Sequence, residues 1–259
     1  MRKFRRIFVW ICRPQAVVGF LALCLCIGAL GTLARSAYAT AGNGQCRSQP
    51  LRPQAVSQVD CTVRPCMALS FDDGPNPDVT PHILDILARQ QVKATFFVVG
   101  AHIAGHESIL KRQYAEGHEI GNHSWSHPDL SKLTPEQAGE QIQATQRAIA
   151  GVGVPVPRLL RPPYGAVSDV VVAHNNLSIV RWNIDPEDWL FRDPAKIQEH
   201  LLSQARPGAI ILLHDIYPST VAALEPALQV LKQSYQFVTV SQLLNLTPGD
   251  QGQYFSRQR

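Results

Sequence analysis

From Met67 onward, short apolar runs alternate with stretches whose apolar residues recur at helical spacing. Met67–Phe71, Ala94–Val99, Glu119–Gly121, Leu159–Leu160, Ile179–Trp182, Ile210–Leu213 and Phe237–Val240 read as seven strands. Between them, Pro81–Gln90 carries apolar residues at 83, 84, 86 and 87, one face of a helix. Ile109–Glu116, Ser168–Asn175, Ala195–Ala205 and Val221–Gln233 read the same way. Thr134–Ile149 opens with Thr134-Pro135-Glu136-Gln137, a capping box with proline at the first helical position. Seven strands separated by helices predict an α/β fold with a parallel sheet, either a barrel or a doubly wound sheet. The polar residues 40–60 read as a linker, and the polar tail 247–259 is expected to be flexible.

The N-terminal 39 residues follow a different pattern. Arg2, Lys3, Arg5, Arg6 and Arg13 precede an uncharged apolar run, Ala16–Leu33, and then Ala37-Tyr38-Ala39. This is the order of a secretory signal with a small-x-small cleavage site. The 18-residue run also approaches the length of a membrane span, so an uncleaved anchor is the alternative. Either way the rest of the chain is exported, to be secreted or held on the outer side of the cytoplasmic membrane. This segment also distorts the charge balance. Six of the 24 basic residues lie in it with no acid, leaving 18 against 20 acidic residues. A slightly acidic body argues against a nucleic-acid partner. At 45% apolar residues the chain has the content for one packed core, which excludes disorder. Three cysteines follow position 39, and Cys61 and Cys66 are close enough to close a small disulfide loop, leaving Cys46 free.

Chemistry-bearing residues collect at the ends of five predicted strands. In a parallel α/β barrel those ends carry the active site. They read Asp72-Asp73, Asn122-His123-Ser124-Trp125-Ser126-His127, Arg161-Pro162-Pro163-Tyr164, Asp185-Pro186-Glu187-Asp188-Trp189 and His214-Asp215. Each alone has an ordinary explanation, and Asp-Asp-Gly-Pro by itself is a good turn. Five such strand ends in one chain are a joint signal. Two His-x-x-x-His pairs occur. His102 and His106 have no strand-end carboxylate beside them and are expected to be surface residues. His123 and His127 with Asp73 fit a catalytic zinc site with open positions. Asp72 then stays free for proton work. The same ligand types bind Fe(II) in oxygenases, but the strand–helix alternation disfavours that scaffold. No Gly-x-Ser-x-Gly elbow supports a serine esterase.

Ser70-Phe-Asp72-Asp73-Gly-Pro, His123-Ser-Trp-Ser-His127, Arg161-Pro-Pro163-Tyr164-Gly, Asp185-x-x-Asp188-Trp189 and Leu212-Leu-His214-Asp resemble, in order, the five motifs of the polysaccharide deacetylases, carbohydrate esterase family four. Ser70, where threonine is commoner, is a small departure. The resemblance covers residues 61–246 and implies a single catalytic domain, a distorted seven-stranded (β/α) barrel. It implies one divalent metal ion, zinc before cobalt or nickel, held by Asp73, His123 and His127. It implies Asp72 as general base tuned by Arg161, and His214 as general acid held by Asp188. The backbone N–H of Tyr164 would bind the oxyanion, and Pro163, Trp189 and Leu212 would contact substrate. The implied reaction removes N-acetyl groups from N-acetylglucosamine-containing polysaccharide, peptidoglycan or chitin-like, with acetylxylan de-esterification as the alternative. A glycan-binding module on the same fold would have lost a motif residue, and none is lost. A monomer is expected, touching membrane only through its N-terminal segment.

Overall fold

The computed structural model describes residues 59–257. The predicted targeting segment, most of the linker and Cys46 lie outside them. The strands are β1 (Cys66–Asp72), β2 (Thr95–Val98), β3 (Glu119–Asn122), β4 (Leu159–Leu160), β5 (Ser178–Val180), β6 (Ile210–His214), β7 (Gln236–Val238) and β8 (Gln253–Tyr254). The helices are α1 (Thr80–Gln90), α2 (Glu107–Ala115), α3 (Pro135–Gly151), α4 (Asp169–Ala173), α5 (Asp188–Phe191), α6 (Pro194–Ser203), α7 (Pro218–Leu231) and α8 (Val240–Leu244).

All strand pairs are parallel, in the order β6-β1-β2-β3-β4-β5-β8. β7 pairs the first half of β1, Cys66–Ala68, and β2 pairs its second half, Ser70–Asp72. The sheet curls back on itself. Past β5, Ile184 forms a parallel bridge to Ile211 of β6. This is the α/β architecture of a distorted seven-stranded barrel, and it agrees with the expectation.

The two faces of the strands separate by residue parity, as the pleat requires. Met67, Leu69 and Phe71 pack outward with Ile83, Leu84 and Leu87 of α1 and Leu224 and Leu228 of α7. Ala68 packs inward with Phe97, Val180, Ile210 and Val238. Both faces are covered, so the strands read as continuous apolar runs. Ser70 and Asp72 share the inward parity of Ala68. Leu212 and His214 share that of Ile210. The alternation thus aims Asp72 and His214 at the barrel mouth.

Helix starts follow the chemistry read from the sequence. Thr134 Oγ1 accepts from Gln137 N–H, and Gln137 Oε1 accepts from Thr134 N–H. Val240, expected in the last strand, instead opens α8, because Thr239 and Gln242 form a second capping box. The Cys61–Cys66 disulfide is formed, with Cα atoms 5.2 Å apart. Among the described residues no helix is long and apolar enough to cross a membrane.

The tail corrects an expectation. Among the described residues after Leu246, β8 adds to the edge of β5, and Ser256 bridges to Ala209. Ile179 N–H donates to Gly252 O at 2.8 Å, Arg181 N–H to Tyr254 O at 2.7 Å, and Arg257 N–H to Gly208 O at 2.9 Å. The edge of β5 offers unpaired backbone groups, and these decide the outcome over the tail's polar composition. A chain ending at Leu246 should lose these three bonds, and its urea unfolding free energy should fall by about 2–4 kcal/mol at roughly 1 kcal/mol each. An unchanged midpoint would show that the tail adds nothing to the fold.

Candidate active site

Asp73, His123 and His127 converge. His123 Nε2 lies 3.5 Å and His127 Nε2 3.3 Å from Asp73 Oδ1, and one ligand atom from each of the three falls within 4.8 Å of the others. Asp73 Oδ1 is buried and accepts no hydrogen bond. A tetrahedral ion with bonds of about 2.05 Å needs ligand atoms about 3.3 Å apart, so the spacing suits a zinc-class ion. The tautomer suits it too. His123 Nδ1 lies 2.7 Å from the carbonyl oxygen of Arg161, which can only accept. Nδ1 therefore carries the hydrogen and Nε2 presents its lone pair. Burial works to raise the pKa of Asp73, but the neighbouring imidazoles of His123, His214 and His127 outweigh it, holding the carboxyl at about 2.

The His123–His127 loop is held open by its own polar residues. Ser124 and His127 adopt left-handed φ of 65° and 59°, which non-glycine residues rarely do without outside support. Ser124 N–H donates to Asn122 Oδ1 at 2.8 Å, and His127 N–H to Ser124 Oγ at 3.1 Å. Gln141 Oε1 of α3 accepts from both Trp125 N–H and Ser126 N–H.

Asp72 and His214 are register partners on β1 and β6. Asp72 Oδ1 accepts from Arg161 Nη1 at 2.8 Å, while Oδ2 lies 3.6 Å from His123 Nε2. Arg161 is fully buried. Its Nε and Nη2 donate to Val180 O and Arg181 O, and its guanidinium lies 4.1 Å over the Phe97 ring. Burial pulls its pKa down, and the charge of Asp72 offsets only part of that. Gly121 makes room for this stack, since a methyl group there would meet the Phe97 ring at 2.4 Å.

His214 Nδ1 donates to Asp188 Oδ1 at 2.7 Å. The other oxygen of Asp188 accepts from His214 N–H and Thr220 Oγ1. Burial alone would lower the pKa of His214, but the bond to Asp188 and its charge raise it to about 9.

The chain matches the polysaccharide deacetylase family over residues 60–178. It is 40% identical over 192 residues to the chitooligosaccharide deacetylase of Sinorhizobium fredii, spanning 72% of this chain and 86% of that one. The chain belongs to the polysaccharide deacetylase family. It is also 42% identical over 192 residues to the peptidoglycan-N-acetylglucosamine deacetylase PgdA of Listeria monocytogenes serotype 1/2a, covering 74% of this chain. That match takes in only 41% of the Listeria protein's length. The structure of peptidoglycan deacetylase PdaC from Bacillus subtilis superposes with a TM-score of 0.69 at 42% identity, covering 71% of this chain and 92% of that one.

The five motifs of this family member surround one cavity of about 480 Å³. Asp73, His123, His127, Tyr164, Trp189, Leu212 and His214 line it. Asp72, Arg161 and Asp188 stand behind that lining as buried supports. Pro163 is buried, in the turn that holds Tyr164 at φ 59°. Tyr164 lays its ring edge on His127, 4.7 Å between centroids, and Trp189 is 46% exposed at the rim. Asp185 also lines the cavity; its Oδ1 accepts from Glu187 N–H at 2.8 Å, and burial raises its pKa. The sequence did not single out Trp182 and Tyr217, which complete the lining. An aromatic in an apolar or polar run carries no signal of which cavity it faces. In the sequence Asp215 is marked only by following His214. It is buried, takes a 2.6 Å bond from Thr80 Oγ1, and burial raises its pKa to about 7.

Two outcomes follow from this geometry. Arg161→Ala leaves Asp72 charged and unpaired in the barrel, and should cost about 3–5 kcal/mol in urea unfolding; a loss below about 1 kcal/mol would mean that solvent replaces the pair. Elemental analysis should find one divalent ion per chain in the wild type, and loss of that ion in both His123→Ala and His127→Ala. Full occupancy in the two variants would overturn the ligand assignment.

Proposed function

We propose that the protein is a metal-dependent hydrolase that removes N-acetyl groups from N-acetylglucosamine-containing polysaccharide, peptidoglycan or chitin-like. One observation carries the reading. The triad lies between a carboxylate that can accept a proton and a carboxylate-backed imidazole that can donate one. When bound at Asp73, His123 and His127, a divalent ion supplies Lewis acidity to the acetyl carbonyl and makes water easier to deprotonate.

The protein's own residues do the rest. Asp72 Oδ2 faces the triad and takes the proton of the attacking water, while Oδ1 stays bound to Arg161. The Tyr164 N–H stabilises the oxyanion as the carbonyl becomes tetrahedral. His214 then delivers a proton from Nε2 to the sugar nitrogen, and the C–N bond breaks to give acetate and a free amine. An amide nitrogen leaves poorly as an anion, so it must take up a proton as it departs, from a group that is protonated at the working pH. A histidine whose pKa is about 9 is charged at neutral pH and suits an amide better than an ester requires. Leu212 lines the space for the acetyl methyl, and the exposed faces of Tyr164 and Trp189 suit sugar rings. The apolar N-terminal run supports action outside the cytoplasmic membrane, with the chain secreted or anchored there, and the Cys61–Cys66 disulfide agrees.

The test is acetate release from peptidoglycan, chitin oligomers and acetylxylan, each followed across pH. The first two should be turned over faster than acetylxylan; a preference for acetylxylan would overturn the N-acetyl assignment. Activity should fall on the alkaline side as His214 loses its proton near pH 9. In Asp188→Asn that limb should move down by about one to three pH units, because the anionic partner is gone. The sign is the same for stability. The folded state raises the pKa of His214 from 6.5 to about 9, so its contribution is full below 6.5 and fades as pH rises through 9. An alkaline limb that stays put in Asp188→Asn would show that another group donates the proton.

A further inference from the structure

The segment that follows β2 belongs to none of the five motifs, yet four consecutive residues in it reach both loops of the triad. Val99 N–H donates to Gly74 O at 2.9 Å. Gly100 N–H donates to Ser124 O at 3.0 Å, and Ala101 N–H to Trp125 O at 2.9 Å. His102 Nδ1 lies 2.7 Å from Asp73 O. The two outer residues therefore hold the Asp73–Gly74 turn, and the two inner ones hold the loop between His123 and His127.

The bond from His102 differs from the other three. It comes from a side chain, and its acceptor is the backbone of a triad residue. A carbonyl oxygen only accepts, so Nδ1 must carry the hydrogen. The backbone N–H of His102 is already spent on Val99 O at 3.0 Å. Asp73 itself sits at φ 76°, in the left-handed region, a conformation that persists where surrounding contacts over-determine it. His102 is anchored in turn, since His106 Nδ1 donates to His102 O at 2.9 Å. Gly100 must be glycine for the segment to lie this close. A methyl group there would meet Thr145 Oγ1 and Trp125 Cε3, both at 2.5 Å.

We propose that Val99–His102 is a brace that sets Asp73 against His123 and His127, and that His102 is a positioning residue for the metal centre. This rests on the metal-centre reading above. His102 is exposed, so its bond competes with water and adds little to the stability of the fold as a whole. Its effect falls on the direction of the Asp73 carboxylate, and so on affinity for the ion.

The experiment uses metal-free protein titrated with Co²⁺, which occupies zinc sites and reports their geometry through its visible absorption. Wild type is compared with His102→Ala, His102→Phe and His102→Asn, with melting followed by circular dichroism before metal is added. Alanine and phenylalanine should weaken Co²⁺ binding by about 10–100-fold, the usual cost of losing an outer-shell partner, and should shift the bands. Their metal-free melting should match wild type. Asparagine places an N–H where Nδ1–H stood and should recover most of the affinity. Wild-type affinity and bands in both the alanine and phenylalanine variants would overturn the brace and leave the metal centre standing. Asparagine as weak as phenylalanine would overturn the hydrogen bond as its cause. If the alanine variant fails to fold, the contrast between asparagine and phenylalanine decides. A wild type that binds no Co²⁺ overturns the metal centre, and the brace with it.

Discussion

The buried Arg161 is the point on which the site depends. An uncompensated charge inside a barrel is prohibitively costly, so the guanidinium must be answered. Asp72 of β1 and the carbonyls of Val180 and Arg181 answer it, and Phe97 of β2 covers its face. The same residue's carbonyl fixes the ring of His123 at the end of β3, and its backbone N–H donates to Asn122 O. One side chain thus ties β1, β2 and β5 together, while its backbone sets a proposed metal ligand. The charge that orients the proposed base and the carbonyl that sets a ligand tautomer belong to one residue, so neither can shift alone.

The second constraint is the separation of the two proposed proton roles. Asp72 and His214 face the same mouth from paired strands, but their partners have opposite charge. Asp72 is bound by a cation and His214 by an anion. Each partner is itself buried and hydrogen-bonded, Asp188 by Thr220 and His214, Arg161 by two carbonyls. Partners of opposite charge are thereby built into the barrel wall, behind the cavity lining. This is the arrangement expected where an acid and a base must work side by side at one pH.

Around these pairs the chain takes up unfavourable backbone conformations. Asp73, Ser124, His127 and Tyr164 all have positive φ, and all lie in strand-end turns that face the cavity. Such turns are held from outside, by Gln141 of α3 and by the segment after β2. The metal-binding reading therefore depends on residues with no chemistry of their own.

Much of this was legible in the order of residues. Parity along β1 and β6 assigned Asp72 and His214 to one face, because side chains alternate in any strand. Capping boxes and apolar spacing marked most elements, because helix starts are local chemistry. The Asp73, His123 and His127 set was legible because ligand type and strand-end position are both written in sequence. The tail was not, because its pairing partner is the edge of β5, more than 70 residues away, and its own composition is polar. Nor were Gln141, Trp182, Tyr217 and His102. Each acts through a contact with a distant loop, and a single glutamine, aromatic or exposed histidine looks the same whether or not a loop lies against it. The sequence determined the elements, their faces and the reactive groups. The tertiary structure decided which carbonyls, loops and edges those groups meet, since only closure of the barrel brings the strand ends to one mouth.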